Sequence, residues 1–128
     1  MTYHFTRASH LTFDETLAKV TEELKKEGFG ILTEIDVQAT LKKKLDVDFR
    51  KYRILGACNP PFAYAALQAE DKIGTMLPCN VIVQEKGDGV VEVSAVDPVA
   101  SMMAIKNPKL EAVAQEVRAR LRRVIERL

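Results

Sequence analysis

The chain reads as an α+β domain: a curved, mixed or mainly antiparallel sheet of about five strands with long helices on one face. Three observations predict it. Runs rich in β-branched residues alternate with helical stretches. Lys86-Gly87-Asp88-Gly89 separates two of those runs as a hairpin would, which argues against a purely parallel sheet. Two segments, one near each end, carry apolar residues at helical spacing.

Thr2 to Ala8 alternates, with Tyr3 and Phe5 on one face, and suits a first strand. Thr12 followed by Glu15 is a capping box, which satisfies two orphan backbone donors. Phe13, Leu17, Val20 and Leu24 then recur at helical spacing over residues 12–27. Lys25 and Lys26 suit the negative end of that helix, and Gly28 can take the left-handed stop. Residues 29–35 read as a second strand. Asp36 can cap a short helix carrying Val37, Leu41 and Leu45 on one face.

A third strand is expected over 51–57. Asn59 is a good N-cap residue, and Pro60 and Pro61 fit the first turn of the helix it starts. Residues 70–78 read as a loop or a short turn of helix. Residues 79–85 and 90–95 form the hairpin strands. Asp97-Pro98 opens a short apolar helix to about residue 105, and Asn107-Pro108 opens the last one. There Leu110, Val113, Ala114, Val117, Leu121, Val124, Ile125 and Leu128 make one apolar stripe.

The whole chain, 1–128, reads as one domain. Its 128 residues suffice for a core without disulfides or metal. Hydrophobic residues are 47% and charged residues 29%, an ordinary globular balance. With 19 basic and 18 acidic residues the net charge is +1, so no nucleic-acid or acidic-membrane partner is indicated. No apolar run approaches a membrane span, and residues 1–7 lack the apolar core of a signal peptide. A cytoplasmic protein is expected. Glu116 and Glu126, interleaved with the arginines at 118, 120, 122, 123 and 127, favour a solvated helix face.

The most unusual local feature is a repeated dipeptide flanked by proline: Cys58-Asn59-Pro60-Pro61 and Pro78-Cys79-Asn80. Cys58 precedes a helix N-terminus, where unpaired N–H groups favour a thiolate. It is therefore a candidate nucleophile or redox thiol, with Asn59 stabilising developing charge. The plainer reading, which free cysteine favours, is that both are small buried hydrophobes and Asn59 only a cap. A Cys58–Cys79 disulfide requires neighbouring strands. Metal-ligand spacing is absent, because His4 and His10 do not complete a set with the cysteines. Neither metal nor cofactor is expected. Glu34 and Asp36 would share a strand face, as an acid/base pair might, although Asp36 also reads as a cap.

Three motifs resemble the signature of DUF family 302, a domain of unknown function: residues 28–36, residues 52–60 and Leu77-Pro78-Cys79-Asn80-Val81. The resemblance spans essentially the whole chain. It implies a TBP-like fold, strand-helix-four strands-helix, with short helical insertions, and a homodimer. It transfers no activity, cofactor or catalytic residue. Its motif positions, Glu34, Asp36, Cys58, Asn59, Pro60, Cys79 and Asn80, mark where a shared site could lie.

The leading expectation is a small-ligand-binding homodimeric domain, with Met76, Met102 and Met103 available to line a pocket or to pack a core. The alternatives are a thiol enzyme or redox protein using Cys58, and an assembly role through a sheet edge or the 97–105 helix. Whether the protein is an enzyme stays open at this point.

Overall fold

The computed structural model describes residues 2–128. β1 (His4–Ser9), α1 (Phe13–Lys26), β2 (Gly30–Asp36), α2 (Val37–Leu45), β3 (Tyr52–Cys58) and α3 (Pro60–Ala69) come first. A 3-10 helix (Asp71–Met76), β4 (Cys79–Glu85), β5 (Val91–Val96), α4 (Pro98–Ser101) and α5 (Pro108–Glu126) follow. The strands form one open sheet in the order β1-β5-β4-β3-β2, with every neighbouring pair antiparallel.

Alternation gives this sheet two unlike faces. Leu55 and Ala57 of β3, Val81 and Val83 of β4, and Val91, Val93 and Ala95 of β5 are buried on one face. They meet Val20 and Leu24 of α1 and Leu121, Val124 and Ile125 of α5. On the other face runs the cross-strand row Thr6, Ser94, Ile82, Ile54 and Ile35. No residue of that row is buried. One packed and one partly wet face is the ordinary arrangement for an antiparallel sheet.

The ends of α1 follow from its local chemistry. Glu15 N donates to Thr12 Oγ1 at 3.2 Å and Thr12 N donates to Glu15 Oε1 at 3.1 Å, completing the capping box. Gly28, at φ +88°, turns the chain out of the helix. The hairpin forms where Lys86-Gly87-Asp88-Gly89 stands, with Gly89 at φ +81°. No described helix is long and apolar enough to cross a membrane.

Two expectations need correction, and one open reading closes. The helix expected over 97–105 is a single turn, Pro98–Ser101. The chain has to extend again before Pro108, because the residue preceding proline is pushed out of the helical region. Of the two readings of residues 70–78, the short turn of helix is the one present, as the 3-10 helix, whose Ile73 is fully buried. The arginine face of α5 is not simply solvated. Arg118 Nε donates to Asp97 Oδ2 at 3.1 Å, and Arg118 and Arg122 both lie over the Phe5 ring.

Candidate functional site

A cavity of about 300 Å³ opens at one end of the sheet. Its floor is the end of β3, Ala57 and Cys58, with the start of β4, Pro78 and Cys79. Phe62, Ala63, Ala66 and Leu67 of α3 form one wall. Met102 and the N-terminal half of α5, from Leu110 to Val117, form the other. Four of the lining residues are alanines, Ala57, Ala63, Ala66 and Ala114, and small side chains leave space between elements that larger ones would fill. Asn59 is the one amide or charged side chain among the lining residues. The cavity is therefore an apolar pocket with a single amide on its wall.

A β-bulge shapes the mouth. In β2 Ile31 faces Ala57 and Thr33 faces Gly56, so Leu32 is an extra residue in the ladder. Leu32 is 68% exposed and lines the cavity. Leu67 borders the mouth from α3. Behind the floor, Gly56 is required by close approach. A Cβ there would stand 2.7 Å from Pro78 Cγ and would run into Thr33 Oγ1.

Asn59 occupies the N-cap position of α3 but makes no capping bond. Pro60 and Pro61 carry no N–H, so of the two donors an N-cap side chain can use only Phe62 N, at the third helical position, remains. Asn59 turns back instead, and its Nδ2 donates to the Glu27 carbonyl at 3.1 Å. Arg120 Nη1 donates to the same oxygen at 3.0 Å. A side chain at Gly28 would stand only 3.0 Å from Asn59 Nδ2, so this glycine serves both the turn and the contact.

The Glu27 carboxylate is buried and held by α5. Arg123 Nε donates to both its oxygens at 3.2 Å, Arg123 Nη2 to Oε1 at 3.0 Å, and Arg127 Nη1 to Oε2 at 2.7 Å. The Arg123 hydrogen bonds hold its pKa below the ordinary carboxylate value, against the opposing effect of burial, with Arg127 adding to them. This clamp ties the C-terminal end of α1 to α5 and, through Asn59, to the cavity wall. Sequence reading missed it, because its members lie up to 100 residues apart. The run of arginines on the last helix was the one signal that pointed there.

Both cysteines line the cavity and both are free, so no disulfide joins these neighbouring strands. Cys79 is buried opposite Ala57 in the ladder. Burial, and then the nearby Cys58, push its thiol up to about 11. Cys58 is half-buried at the end of β3. The prolines that follow it remove two of the N–H groups a helix N-terminus would offer a thiolate. No histidine or carboxylate lines the cavity.

The structure thus brings Cys58, Asn59 and Cys79 together. Asn80 is exposed and paired with Gly56 outside the lining. Glu34 and Asp36 share a face but lie away from the cavity, bracketing Arg53. Arg53 Nη1 meets Glu34 Oε2 at 2.5 Å and its Nη2 meets Asp36 Oδ2 at 3.4 Å. Asp36 Oδ1 also accepts from Ala39 N at 3.0 Å, the cap of α2. Met102 lines the cavity, whereas Met103 and the exposed Met76 do not. Among the described residues no cluster of histidine, cysteine or carboxylate groups is arranged to hold a metal ion.

The family model "Domain of unknown function DUF302" matches residues 5–128. A crystal structure of an uncharacterized conserved DUF302 protein from Bacillus stearothermophilus is 29% identical. The alignment covers 99% of this chain and 98% of that one, with a TM-score of 0.92. No curated protein matches the chain.

Proposed function

The chain belongs to the DUF302 family, and from that premise we propose that it is a small-molecule-binding domain whose ligand enters the apolar cavity between α3 and α5. The observation that carries this reading is the lining: about 300 Å³ of space walled by apolar side chains, with Asn59 as its one amide. Pockets for small molecules have this character, an apolar lining with few polar groups that fix orientation. The exposed Leu32 and Leu67 give an apolar guest a path in from the surface. The absence of any histidine or carboxylate from the lining favours binding over catalysis by Cys58.

Native mass spectrometry of protein from its own host tests the reading. An additional non-covalent mass is expected on the wild type and absent from Ala63→Phe, which fills the cavity from its half-buried wall. Equal retention by Ala63→Phe would place the ligand elsewhere. An added mass that survives denaturation and maps to Cys58 would favour the thiol reading.

A second observation favours self-association. Ile35, Ile54 and Ile82 form a continuous apolar segment of the cross-strand row on the outer sheet face. We infer that this face joins two copies. Ile82→Lys should then convert a dimer to a monomer in light scattering, and a wild type that is monomeric at micromolar concentration removes this reading.

A further inference from the structure

A second cavity, of about 410 Å³, adjoins the first. Met102, Leu110 and Ala114 line both, so these three side chains are the partition between them. The first cavity is apolar. The second carries Lys106, Asn107 and Glu111. Met102 is the movable part of the partition, since an unbranched thioether with three rotatable bonds adapts to what lies beside it.

The charge of the second cavity is set by what is already paired. Lys106 and Glu111 enter none of the ion pairs among the described residues. Asn107 is committed: its Nδ2 donates to the Ala69 carbonyl at 2.8 Å, and its Oδ1 accepts from Lys109 N at 3.1 Å. Lys106 therefore offers a free ammonium. The first turn of the 19-residue α5 adds the positive end of its dipole beside it. Glu111 opposes an anion from the same wall.

We propose that the two cavities are one site for an amphipathic monocarboxylate, whose alkyl chain fills the apolar chamber past Met102 while its carboxylate meets Lys106. This rests on the reading of the first cavity as a ligand pocket and adds the class of ligand. Glu111 weakens the charge match, and so it predicts a substitution effect opposite in sign to that of Lys106.

Calorimetric titration with decanoate and with decanol tests both levels. Wild type is expected to bind each. Lengthening the acid should raise affinity about fourfold per methylene until the apolar chamber is full. Lys106→Met should lower decanoate affinity about tenfold and leave decanol unchanged, while Lys106→Arg restores the acid. Glu111→Gln should tighten decanoate alone. Ala63→Phe should weaken both ligands.

If decanoate and decanol respond alike to Lys106→Met, the carboxylate contact is overturned, while the pocket reading stands on decanol binding that Ala63→Phe removes. If the wild type binds neither compound, the pocket reading fails and this inference fails with it.

Discussion

The two halves of α5 lie in opposite surroundings. Its C-terminal half places Val117, Leu121, Val124 and Ile125 in the main core, against valines of the sheet and Val20 and Leu24 of α1. Its N-terminal half places Leu110 and Ala114 in a smaller cluster with Ala66, Ile73 and Met102, between two cavities. One continuous apolar stripe thus runs from a sealed region into a hollow one. The hollow is made by alanine on the facing walls, not by polarity. An amphipathic pattern therefore tells which side of a helix is covered, but not whether the cover is tight.

One substitution in each region measures this difference most directly. Leu121 is fully buried, and Leu121→Ala should cost about 3–5 kcal/mol of unfolding free energy. Met102 already borders empty space on two sides. Met102→Ala should accordingly cost only about 1–2 kcal/mol, because fewer packed atoms lose partners. Urea unfolding of the two variants compares them. Equal losses would mean that the cavity end is packed as well as the core.

The hollow end is nonetheless closely packed behind its floor, at Gly56. Gly56→Ala drives a methyl group into Thr33 and Pro78 and should cost about 1–3 kcal/mol. Gly30, in the adjacent strand, has open space where a Cβ would go, so Gly30→Ala should change stability by no more than about 0.5 kcal/mol. A small effect at Gly56 would show a floor that yields, and would weaken the case for a preformed cavity.

The Glu27 clamp joins the two regions, since its carboxylate binds the C-terminal turns of α5 and its carbonyl binds Asn59. Glu27→Gln should cost about 1–3 kcal/mol at neutral pH, because the side chain loses charge-assisted bonds while Arg123 and Arg127, each 44% exposed, regain water. The folded pKa is lowered from 4.5, so the clamp's contribution is complete above that value and fades as pH falls through the lower folded pKa. Thermal melts in acid should show the gap between wild type and Glu27→Gln narrowing as pH falls below 4.5. A constant gap across that range would mean that the carboxylate's charge is not what the arginines hold.

What the sequence disclosed is what is local. The Thr12–Glu15 box, the Gly28 stop, the hairpin at Gly87–Gly89 and the α5 stripe are each decided by neighbours within a few residues. Asn59 takes the N-cap position its local sequence predicts, but its side chain makes no capping bond, and its Nδ2 reaches the Glu27 carbonyl, a tertiary partner that no local rule announces. The arginines of α5 went astray because Arg118, Arg120 and Arg123 reach partners in other elements, Asp97 and Glu27. The cavity was visible only as two cysteines and a proline-flanked asparagine. Empty space is the meeting of side chains from several separate segments, and no single segment carries its signature.

The finest distinction between the two regions is chemical. Cys79 lies on the cavity floor, yet its thiol is pushed up to about 11. At pH 8 only about one molecule in a thousand then carries the thiolate that reacts with a disulfide reagent. Cys58, only half-buried at the end of β3, should be modified first in the folded protein, and Cys79 only after unfolding. Decanoate should slow the labelling of Cys58 and leave the order unchanged. If the two thiols react at the same rate in the folded state, water and reagent reach the floor freely. The cavity would then be a wet cleft, and the apolar character that sets it apart from an ordinary surface groove would be lost.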